Sequence, residues 1–448
     1  MLRLGCGHVY DETASARLVY PNGLTSDFTY DDLNRLKNLA QSKGTSPLAG
    51  YNYTLGVTGN RASAVESING VSGRSLGWTY DGIYRLTNET ITSDPSSKNG
   101  SIGYGLDPVG NRLSQTSTLS GIPTANFSYD ADDRVLSTES YDASGNTTAS
   151  GARTFVYDFQ NRLKSMNNGA VTIQYDGDGN RVAKTVGAVT THYLVDDVNP
   201  TGYAQVVEEV VGSAVQRSYT YGKQRISQSQ LIGGAWTRSF YGYDGFGSVR
   251  QLTDSTGVVT DTYDYDAWGN AVNTTGSTPN VYLYRGEQYD SDLGLYYFRA
   301  RYFNPLTGRL LTRDPAQGVI LFPRTLHKYL YVGGNPVKFS DPTGYGESQE
   351  AGGLYALSAE ALQLGPEVEV VGSLEISGNT GVAYVELVKG VMRAPFALLP
   401  QLTKMAITLG AAELYIVTSF ANPQLLNIAV QRYGFVTVGG QEILHLVF

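Results

Sequence analysis

The stretch FVYDFQNRLKSMNNGAVTIQYDGDGNRV, residues 155–182, contains two copies of one short pattern. Each copy starts with Tyr-Asp, continues with a few residues rich in Gly or Asn, and ends with Arg and an aliphatic residue. Gly and Asn tolerate the positive φ of a tight hairpin turn, and the flanking residues suit the ends of two β-strands. We therefore interpret each copy as the turn of one β-hairpin, with the Tyr closing the first strand and the Arg opening the second.

The same pattern recurs through three quarters of the chain, which predicts an array of stacked hairpins. Most neighbouring copies lie roughly 18 to 28 residues apart, a spacing that fits one hairpin per repeat. A Tyr at a strand end buries its ring while its hydroxyl keeps a polar partner, so we interpret the repeated tyrosines as structural. The copies begin at Tyr30, Tyr80, Tyr104, Tyr129, Tyr157, Tyr175, Tyr243 and Tyr265.

Composition agrees with a mainly β protein. The 448 residues include 52 Gly and 33 Tyr, and only 17% are charged, which favours short strands and tight turns over long solvated helices. The net charge of -8 argues against a nucleic-acid partner. The single Cys6 cannot form an intramolecular disulfide.

Neither a secretory signal nor a membrane span is predicted. The first residues lack the apolar core of a classical signal, and the apolar stretch 396–420 is interrupted by Gln401, Lys404 and Glu413.

The sequence offers weak candidates for a metal site and for a carbohydrate site. His8, His192 and His327 have no ligand spacing around them, so we expect neither a metal nor a cofactor. Trp236 could bind carbohydrate on an exposed face or pack between turns of sheet.

Residues 1–345 resemble the RHS/YD-repeat proteins. The most specific segments are YRGEQYDSDLGLYYFRARYFNPLTGRLLTRDP, residues 284–315, and HKYLYVGGNPVKFSDPTG, residues 327–344, which are similar to the RHS repeat-associated core. The resemblance implies that the hairpins form a spiral shell, that the core curls inward, and that a variable C-terminal domain, usually a toxin, is held inside. Because shells of this family are longer, we expect a partial shell here. The implied domains are a β-spiral at 1–283, the core at 284–345 and a C-terminal domain at 346–448.

The resemblance also implies an aspartyl autoprotease in the core. Its two aspartates correspond to Asp314 and Asp341, with Arg313 as an electrostatic partner, and the cut falls at or just after Gly344-Tyr345. Two close carboxylates do not both ionise readily, so one can act as an acid while the other activates water. The first motif places its Gly one residue later than a DPxG pattern would. The alternative is that each Asp-Pro pair only begins a turn.

The C-terminal segment 346–448 differs in composition from the repeats. It has nine Glu, no Asp, no Cys and one His, which excludes a Cys-His nucleophile pair and a zinc site of Cys and His ligands. Its pattern predicts strand-helix-strand-helix-strand, a small α/β domain. The run LGAAELYIVTSFANPQLLNIAVQRYGF resembles the C-terminal half of GNAT acyltransferases, and the domain is interpreted either as a divergent acyltransferase or as a packing module.

Two functions remain open from the sequence. The first is a polymorphic-toxin shell that encloses or presents a C-terminal effector, releases it by self-cleavage near Tyr345, and serves competition between bacteria. Its expected partners are its own C-terminal domain and an immunity protein, and its expected location is secreted or cell-surface, by an export route that this chain does not encode. The second is a non-enzymatic YD-repeat surface or adhesion protein with a structural C-terminal cap.

Overall fold

The computed structural model describes residues 15–33, 35–315 and 323–346, together with Thr403 and seven strand segments between 348 and 447. The chain divides into two compact units. The first extends to Glu347 except for 319–322, and the second comprises 319–322 and the chain from Ser348 onward.

Consecutive antiparallel hairpins build the first sheet, whose ten strands follow one another in chain order. Strand follows strand without a crossover because each turn returns the chain beside the strand it has just left. The strands are β1 Ser15–Val19, β2 Leu24–Tyr30, β3 Leu36–Lys43, β4 Ser46–Leu55, β5 Arg61–Ile68, β6 Val71–Tyr80, β7 Leu86–Thr92, β8 Gly100–Leu106, β9 Arg112–Ser117 and β10 Ala125–Asn126.

A second sheet continues the same topology with fourteen strands in chain order. The strands are β11 Glu139–Tyr141, β12 Thr147–Ser150, β13 Arg153–Tyr157, β14 Leu163–Met166, β15 Val171–Tyr175, β16 Arg181–Val186, β17 Val189–Asp196, β18 Gln205–Val211, β19 Ala214–Tyr221, β20 Arg225–Ile232, β21 Ala235–Tyr243, β22 Val249–Thr253, β23 Val259–Tyr265 and β24 Ala271–Thr275.

The segment that the sequence identified as the core forms four short antiparallel strands, with every residue of β26, β27 and β28 buried. Burial on both faces explains why these strands read as near-continuous aromatic runs instead of alternating with polar residues. The elements are β25 Gln288–Asp290, β26 Leu295–Phe298, β27 Arg301–Asn304, β28 Arg309–Leu310 and β29 Phe339–Ser340, with 3-10 turns at Asn167–Gly169, Tyr284–Gly286, Pro323–Leu326 and Tyr331–Gly334.

Each YD turn is closed by its own aspartate. In the turn after β6, Asp81 Oδ1 accepts the backbone N–H groups of Ile83 and Arg85, and Asp81 Oδ2 accepts Arg85 Nε at 2.6 Å. The Arg85 guanidinium also reaches the carbonyl of Asp107 at 2.8 Å, in the next YD turn of the sheet. The same Asp–Arg pair recurs at Asp31–Arg35, Asp130–Arg134 and Asp158–Arg162.

Most of the repeated tyrosines join the strand that they end to the strand before it. Tyr243, at the end of β21, donates its hydroxyl to the carbonyl of Arg225, the first residue of β20, at 2.7 Å. This hydroxyl geometry explains why the pattern keeps Tyr and not Phe at the strand end. Equivalent bonds run from Tyr80 to Arg61, from Tyr175 to Leu163 and from Tyr265 to Val249.

The two large sheets are in direct contact through buried polar side chains. Glu66 of the first sheet pairs with Arg250 of the second at 2.7 Å, and Gln251 donates to Gln41 at 2.9 Å. Glu89 accepts the N–H of Ala267 at 2.7 Å. The YD turn aspartates Asp244 and Asp266 are also buried.

The second unit contains a six-stranded sheet in the order β31-β32-β33-β34-β36-β35. Strands β33 and β34 pair in parallel, whereas the other neighbours are antiparallel. The two helices predicted there lie outside the described residues, apart from Thr403, so the acyltransferase interpretation stays a prediction. No helix in the described residues is long and apolar enough to cross a membrane. The strands of this unit are β30 Ser348–Gln349, β31 Leu354–Leu357, β32 Glu369–Ser377, β33 Thr380–Lys389, β34 Glu413–Thr418, β35 Val436–Val438 and β36 Gln441–Val447.

Removal of one cross-strand hydroxyl should weaken the array. We expect Tyr243→Phe to lower the free energy of unfolding by about 1–3 kcal/mol, because the Arg225 carbonyl loses its buried hydroxyl partner. Urea denaturation followed by fluorescence measures the change. Tyr84→Phe is the control, since Tyr84 is exposed, and its effect should stay within about 0.5 kcal/mol. Equal effects of the two substitutions would contradict this role of the hydroxyl.

Candidate functional site

The site is built on the tight hairpin between β26 and β27. Phe298 pairs with Arg301, so only Arg299 and Ala300 form the loop, and Arg299 adopts a φ of 54°. Two-residue hairpins of this kind need positive φ because their twist must match that of the strands. The Ala300 N–H points away from the hairpin and donates to the carbonyl of Thr343 at 3.1 Å. The hairpin therefore fixes the second Asp-Pro segment through the backbone.

Arg301 contacts three groups of the predicted site. Its Nη2 atom lies 2.9 Å from Asp314 Oδ2 and 3.5 Å from Asp341 Oδ2. Its Nε atom donates to the carbonyl oxygen of Gly344. The Arg301 side chain is 4% exposed, so these contacts are made away from bulk water. One guanidinium thus joins both predicted aspartates to the carbonyl of the peptide bond expected to be cut.

Asp341 shapes the loop that carries this peptide bond. Its Oδ1 atom accepts the N–H of Gly344 at 2.9 Å and the N–H of Gly346 at 3.1 Å. The Tyr345 N–H between them donates to Thr343 Oγ1 at 3.3 Å. The carboxylate therefore holds the N–H groups on both sides of Tyr345.

Burial raises the pKa of Asp341 to about 6. The Arg301 charge and the N–H groups of Gly346 and Gly344 act in the opposite direction, and the nearby charge of Asp314 raises the pKa further. Desolvation dominates because the charged form of a carboxyl loses most when water is removed. Asp341 can therefore hold a proton in a pH range where an ordinary aspartate has lost it.

Asp314 lies in a more open environment than Asp341. Its side chain is 18% exposed against 2% for Asp341, and its backbone N–H donates to the carbonyl of Lys328 at 2.9 Å. This backbone bond holds Asp314 independently of the displaced Gly318, which lies outside the described residues. The structure therefore brings the two aspartates together on one guanidinium although the first motif departs from DPxG.

Arg313 and Arg301 differ in their surroundings. Arg313 is exposed, and its aliphatic part packs beside Gly145. Its charge is felt by the neighbouring Lys328. Burial lowers the pKa of Lys328, and the charges of Arg313 and Arg301 lower it further, whereas the charge of Asp314 acts in the opposite direction. The contacts to both carboxylates come from Arg301, which the sequence reasoning did not select. The sequence signal for Arg301 is an Arg within the aromatic run YYFRARYF, because a charge in a buried strand needs a carboxylate partner.

Gly344 is held in a space that admits no side chain. Its φ is 75°, and an added Cβ would lie 2.2 Å from the carbonyl oxygen of Phe298 and 2.9 Å from the nitrogen of Arg301. Glycine is required on both counts, because other residues avoid this φ and the hairpin backbone occupies the position of a Cβ. The Gly344 carbonyl is consequently pressed against the start of β27, where Arg301 begins.

The arrangement has the parts of an acid–base hydrolytic site. It contains the Asp341 carboxyl with its raised pKa, the carboxylate of Asp314, which is more exposed to solvent, and the Arg301 cation, which contacts the carbonyl oxygen of Gly344. Among the described residues no group of His, Cys, Asp and Glu has the geometry of a metal site. The chemistry that these residues can support is cleavage of a peptide bond by paired carboxylates.

The fold and site define the class of the chain: hairpin repeats with a YD signature, wound around an inserted aromatic core. Such repeats stack on their neighbours and stabilise each other mainly through adjacent contacts. The chain belongs to the teneurin YD-shell family, whose family model matches residues 92–337. It is therefore an RHS/YD-repeat protein, as its sequence motifs indicated.

Several relatives and solved structures share this region. The tRNA nuclease WapA of Bacillus subtilis is 34% identical over 257 residues, which are 54% of this chain and 11% of WapA. Double-stranded DNA deaminase toxin A of Burkholderia cenocepacia is 27% identical over 424 residues, covering 81% of this chain and 28% of the toxin. The Photorhabdus luminescens Tc holotoxin pore matches 73% of this chain and 18% of its own at 19% identity with a TM-score of 0.59. The chain thus spans between 11% and 28% of the length of these proteins, and the likeness to the Tc structure is one of fold.

A methyl group at Gly344 should displace the loop. We expect Gly344→Ala to lower the stability of the loop by about 1–3 kcal/mol, because both its φ and the contact with Phe298 become unfavourable. Hydrogen exchange of the Ala300 amide, which donates to Thr343, reports the change directly. Gly346→Ala is the matched control, since a Cβ there meets no atom within 4 Å. Unchanged protection of Ala300 in Gly344→Ala would refute the close approach.

Proposed function

We propose that this chain is an RHS-type toxin shell segment that cuts itself between Gly344 and Tyr345 and so releases its C-terminal unit. The observation that carries the proposal is the single guanidinium of Arg301, which contacts Asp314, Asp341 and the carbonyl of Gly344. A turn-forming role alone would not require the two Asp-Pro aspartates to share one buried cation. The alternative of two ordinary turns leaves this convergence unexplained.

The three side chains have distinct roles in the proposed reaction. Arg301 polarises the Gly344 carbonyl and stabilises the oxyanion that forms on it. Asp314, the more exposed carboxylate, is the base that takes a proton from the attacking water. Asp341, whose pKa is raised to about 6, is the acid that protonates the departing nitrogen of Tyr345. The assignment follows from the environments, since the buried carboxyl retains its proton more readily.

The atoms balance in a simple hydrolysis. The water oxygen bonds to the Gly344 carbonyl carbon, one water proton passes to Asp314, and the C–N bond to Tyr345 breaks as Asp341 gives its proton to nitrogen. The products are a Gly344 carboxylic acid, which keeps the second water proton, and a Tyr345 amine; the acid then passes that proton to the amine, leaving a carboxylate and an ammonium group. The proton gained by Asp314 is then returned to solvent or to Asp341. No other reactant is needed because both substrate halves belong to the same chain.

The relatives support a toxin-delivery context. Proteins named as a tRNA nuclease and as a DNA deaminase toxin share this repeat region, and the Tc holotoxin shares the fold. We propose that residues 346–448 are an effector, presented or enclosed by the repeats, that acts in competition between bacteria after export. Its partners would be the shell itself and an immunity protein in the producing cell.

Electrophoresis of the expressed chain tests self-cleavage. Wild type should separate under denaturing conditions into fragments 1–344 and 345–448, and Asp314→Asn, Asp341→Asn and Arg301→Lys should each leave one full-length band. The Lys substitution keeps a charge but loses the planar fork that reaches two carboxylates. Mass spectrometry of the small fragment identifies its first residue.

Asp292→Asn is the control for removal of a carboxylate in the same core. Asp292 is 39% exposed and pairs only at the surface with Lys184, so this variant should cut like wild type. A single band from the wild-type protein would remove the autoprotease and favour a non-enzymatic surface protein. Cleavage that survives Asp341→Asn would remove the assigned acid.

The pH dependence of the cut should follow Asp341. Because a carboxyl with a pKa of about 6 is protonated below that pH, the rate should fall about tenfold per unit well above pH 6. Full-length chain recovered in urea and diluted into buffers between about pH 4 and about pH 9 gives the profile. Refolding is followed in parallel by fluorescence in uncut Asp314→Asn. A rate that rises steadily to alkaline pH would contradict the assignment.

A further inference from the structure

A cleft of about 420 Å³ opens beside the Gly344–Tyr345 bond. Two YD turns form one wall, residues 160–162 between β13 and β14 and residues 177–180 between β15 and β16. The opposite wall is formed by the Arg299–Arg301 hairpin, by Thr312 and Arg313, and by Thr343 and Tyr345. The cleft is therefore bounded both by the proposed catalytic arginine and by the residue that follows the bond to be cut.

The chain changes environment at this bond. Gly344 is buried against the β26–β27 hairpin, whereas Tyr345 is 60% exposed and lies in the wall of the cleft. The N–H of Tyr345 is held by Thr343 Oγ1, so the direction in which the chain leaves Gly344 is fixed. The side chain after the bond is thus the first that the cleft can receive.

We propose that this cleft is the binding subsite for the side chain at position 345, and that it selects a large aromatic residue there. The inference rests on the self-cleavage proposed above and adds its specificity determinant. Arg162, Arg299 and Arg313 are among the residues that line the cleft, and an aromatic ring presents a face that attracts such cations. Asp178 and the turn backbones supply polar partners for a phenol hydroxyl.

A Tyr345 side chain bound in the cleft would help cleavage by orienting the Gly344–Tyr345 peptide bond. A peptide bond reacts only when its carbonyl and its leaving nitrogen face their catalytic groups at the same time. Asp341 and Arg301 hold the Gly344 side of the bond, and a filled subsite holds the Tyr345 side. The two YD turns in the wall are thereby assigned a second role beyond closing their hairpins.

A bulky residue at Gly177 tests the subsite. Gly177 lines the cleft, needs no positive φ, and an added Cβ meets no atom within 4 Å, so Gly177→Trp can occupy the cleft without disturbing the turn. We expect the cleavage rate to fall by about tenfold or more, the effect of losing one well-filled side-chain pocket. The rate is measured on urea-denatured full-length chain diluted into buffer near pH 6, with the fragments followed over time.

Gly82→Trp is the matched control. Gly82 follows Asp81 as Gly177 follows Asp176, it also needs no positive φ, and a Cβ there meets no atom within 4 Å, but it does not line the cleft. This variant should cut at the wild-type rate. Equal slowing by both substitutions would show a general effect on YD turns and would overturn the subsite.

A double-mutant cycle with Tyr345→Ala separates occupation from misfolding. We expect Tyr345→Ala alone to slow the cut, Tyr345→Phe to retain most of the rate, and Gly177→Trp to have little further effect in the Ala background. A structural defect at Gly177 would instead slow both backgrounds equally, because independent effects add. Full cleavage of Tyr345→Ala and Gly177→Trp would overturn the subsite while leaving the self-cleavage intact, whereas a wild-type chain that never cuts would overturn both.

Discussion

The hydrogen bond that most repeat tyrosines donate to the strand before them is the constraint on which the rest of the structure depends. Tyr243, at the end of β21, donates to the carbonyl of the residue that opens β20. Tyr80 and Tyr265 each donate in the same way to the residue that opens the strand before their own. Because the acceptor is a main-chain carbonyl, the preceding strand needs no particular residue type there. Repeats of different sequence can therefore be joined by the same tyrosine bond. The Asp that follows the tyrosine closes the turn. The Tyr-Asp pair of a repeat thus sets both the register of its two strands and the stacking of the repeat on the one before it.

Because those bonds position whole strands, they also position the inserted core. Tyr284 and Tyr296 belong to the core segment, yet their hydroxyls donate to carbonyls of the last YD turn, Ala267 and Gly269. The core is therefore attached by the same kind of bond that joins the repeats. This attachment fixes the β26–β27 hairpin, and the hairpin in turn fixes Arg301 and the loop at Gly344. The candidate site thus depends on the repeat geometry that precedes it.

The sequence predicted what local patterns encode and missed what only the fold brings together. The Tyr-Asp turns and the mainly β architecture could be predicted because each turn carries its own Asp, Gly and Arg. Asp314 and Asp341 could be paired by motif, but their common partner could not, because Arg301 is separated from them by 13 and 40 residues. The neighbouring Arg313 was a reasonable choice on sequence distance alone, yet Arg301 makes the contacts to both carboxylates.

The two kinds of aspartate in this chain show why similar turns differ in chemistry. Asp81 closes a YD turn with Arg85 of the same loop, and although burial alone would raise its pKa, the Arg85 and Ile83 groups bring it below the usual range. Asp341 also accepts loop N–H groups, but its loop contains no cation, and the distant Arg301 is shared with Asp314 and the Gly344 carbonyl. Burial then prevails and raises the pKa of Asp341. A turn aspartate becomes a candidate acid when its own loop no longer neutralises it.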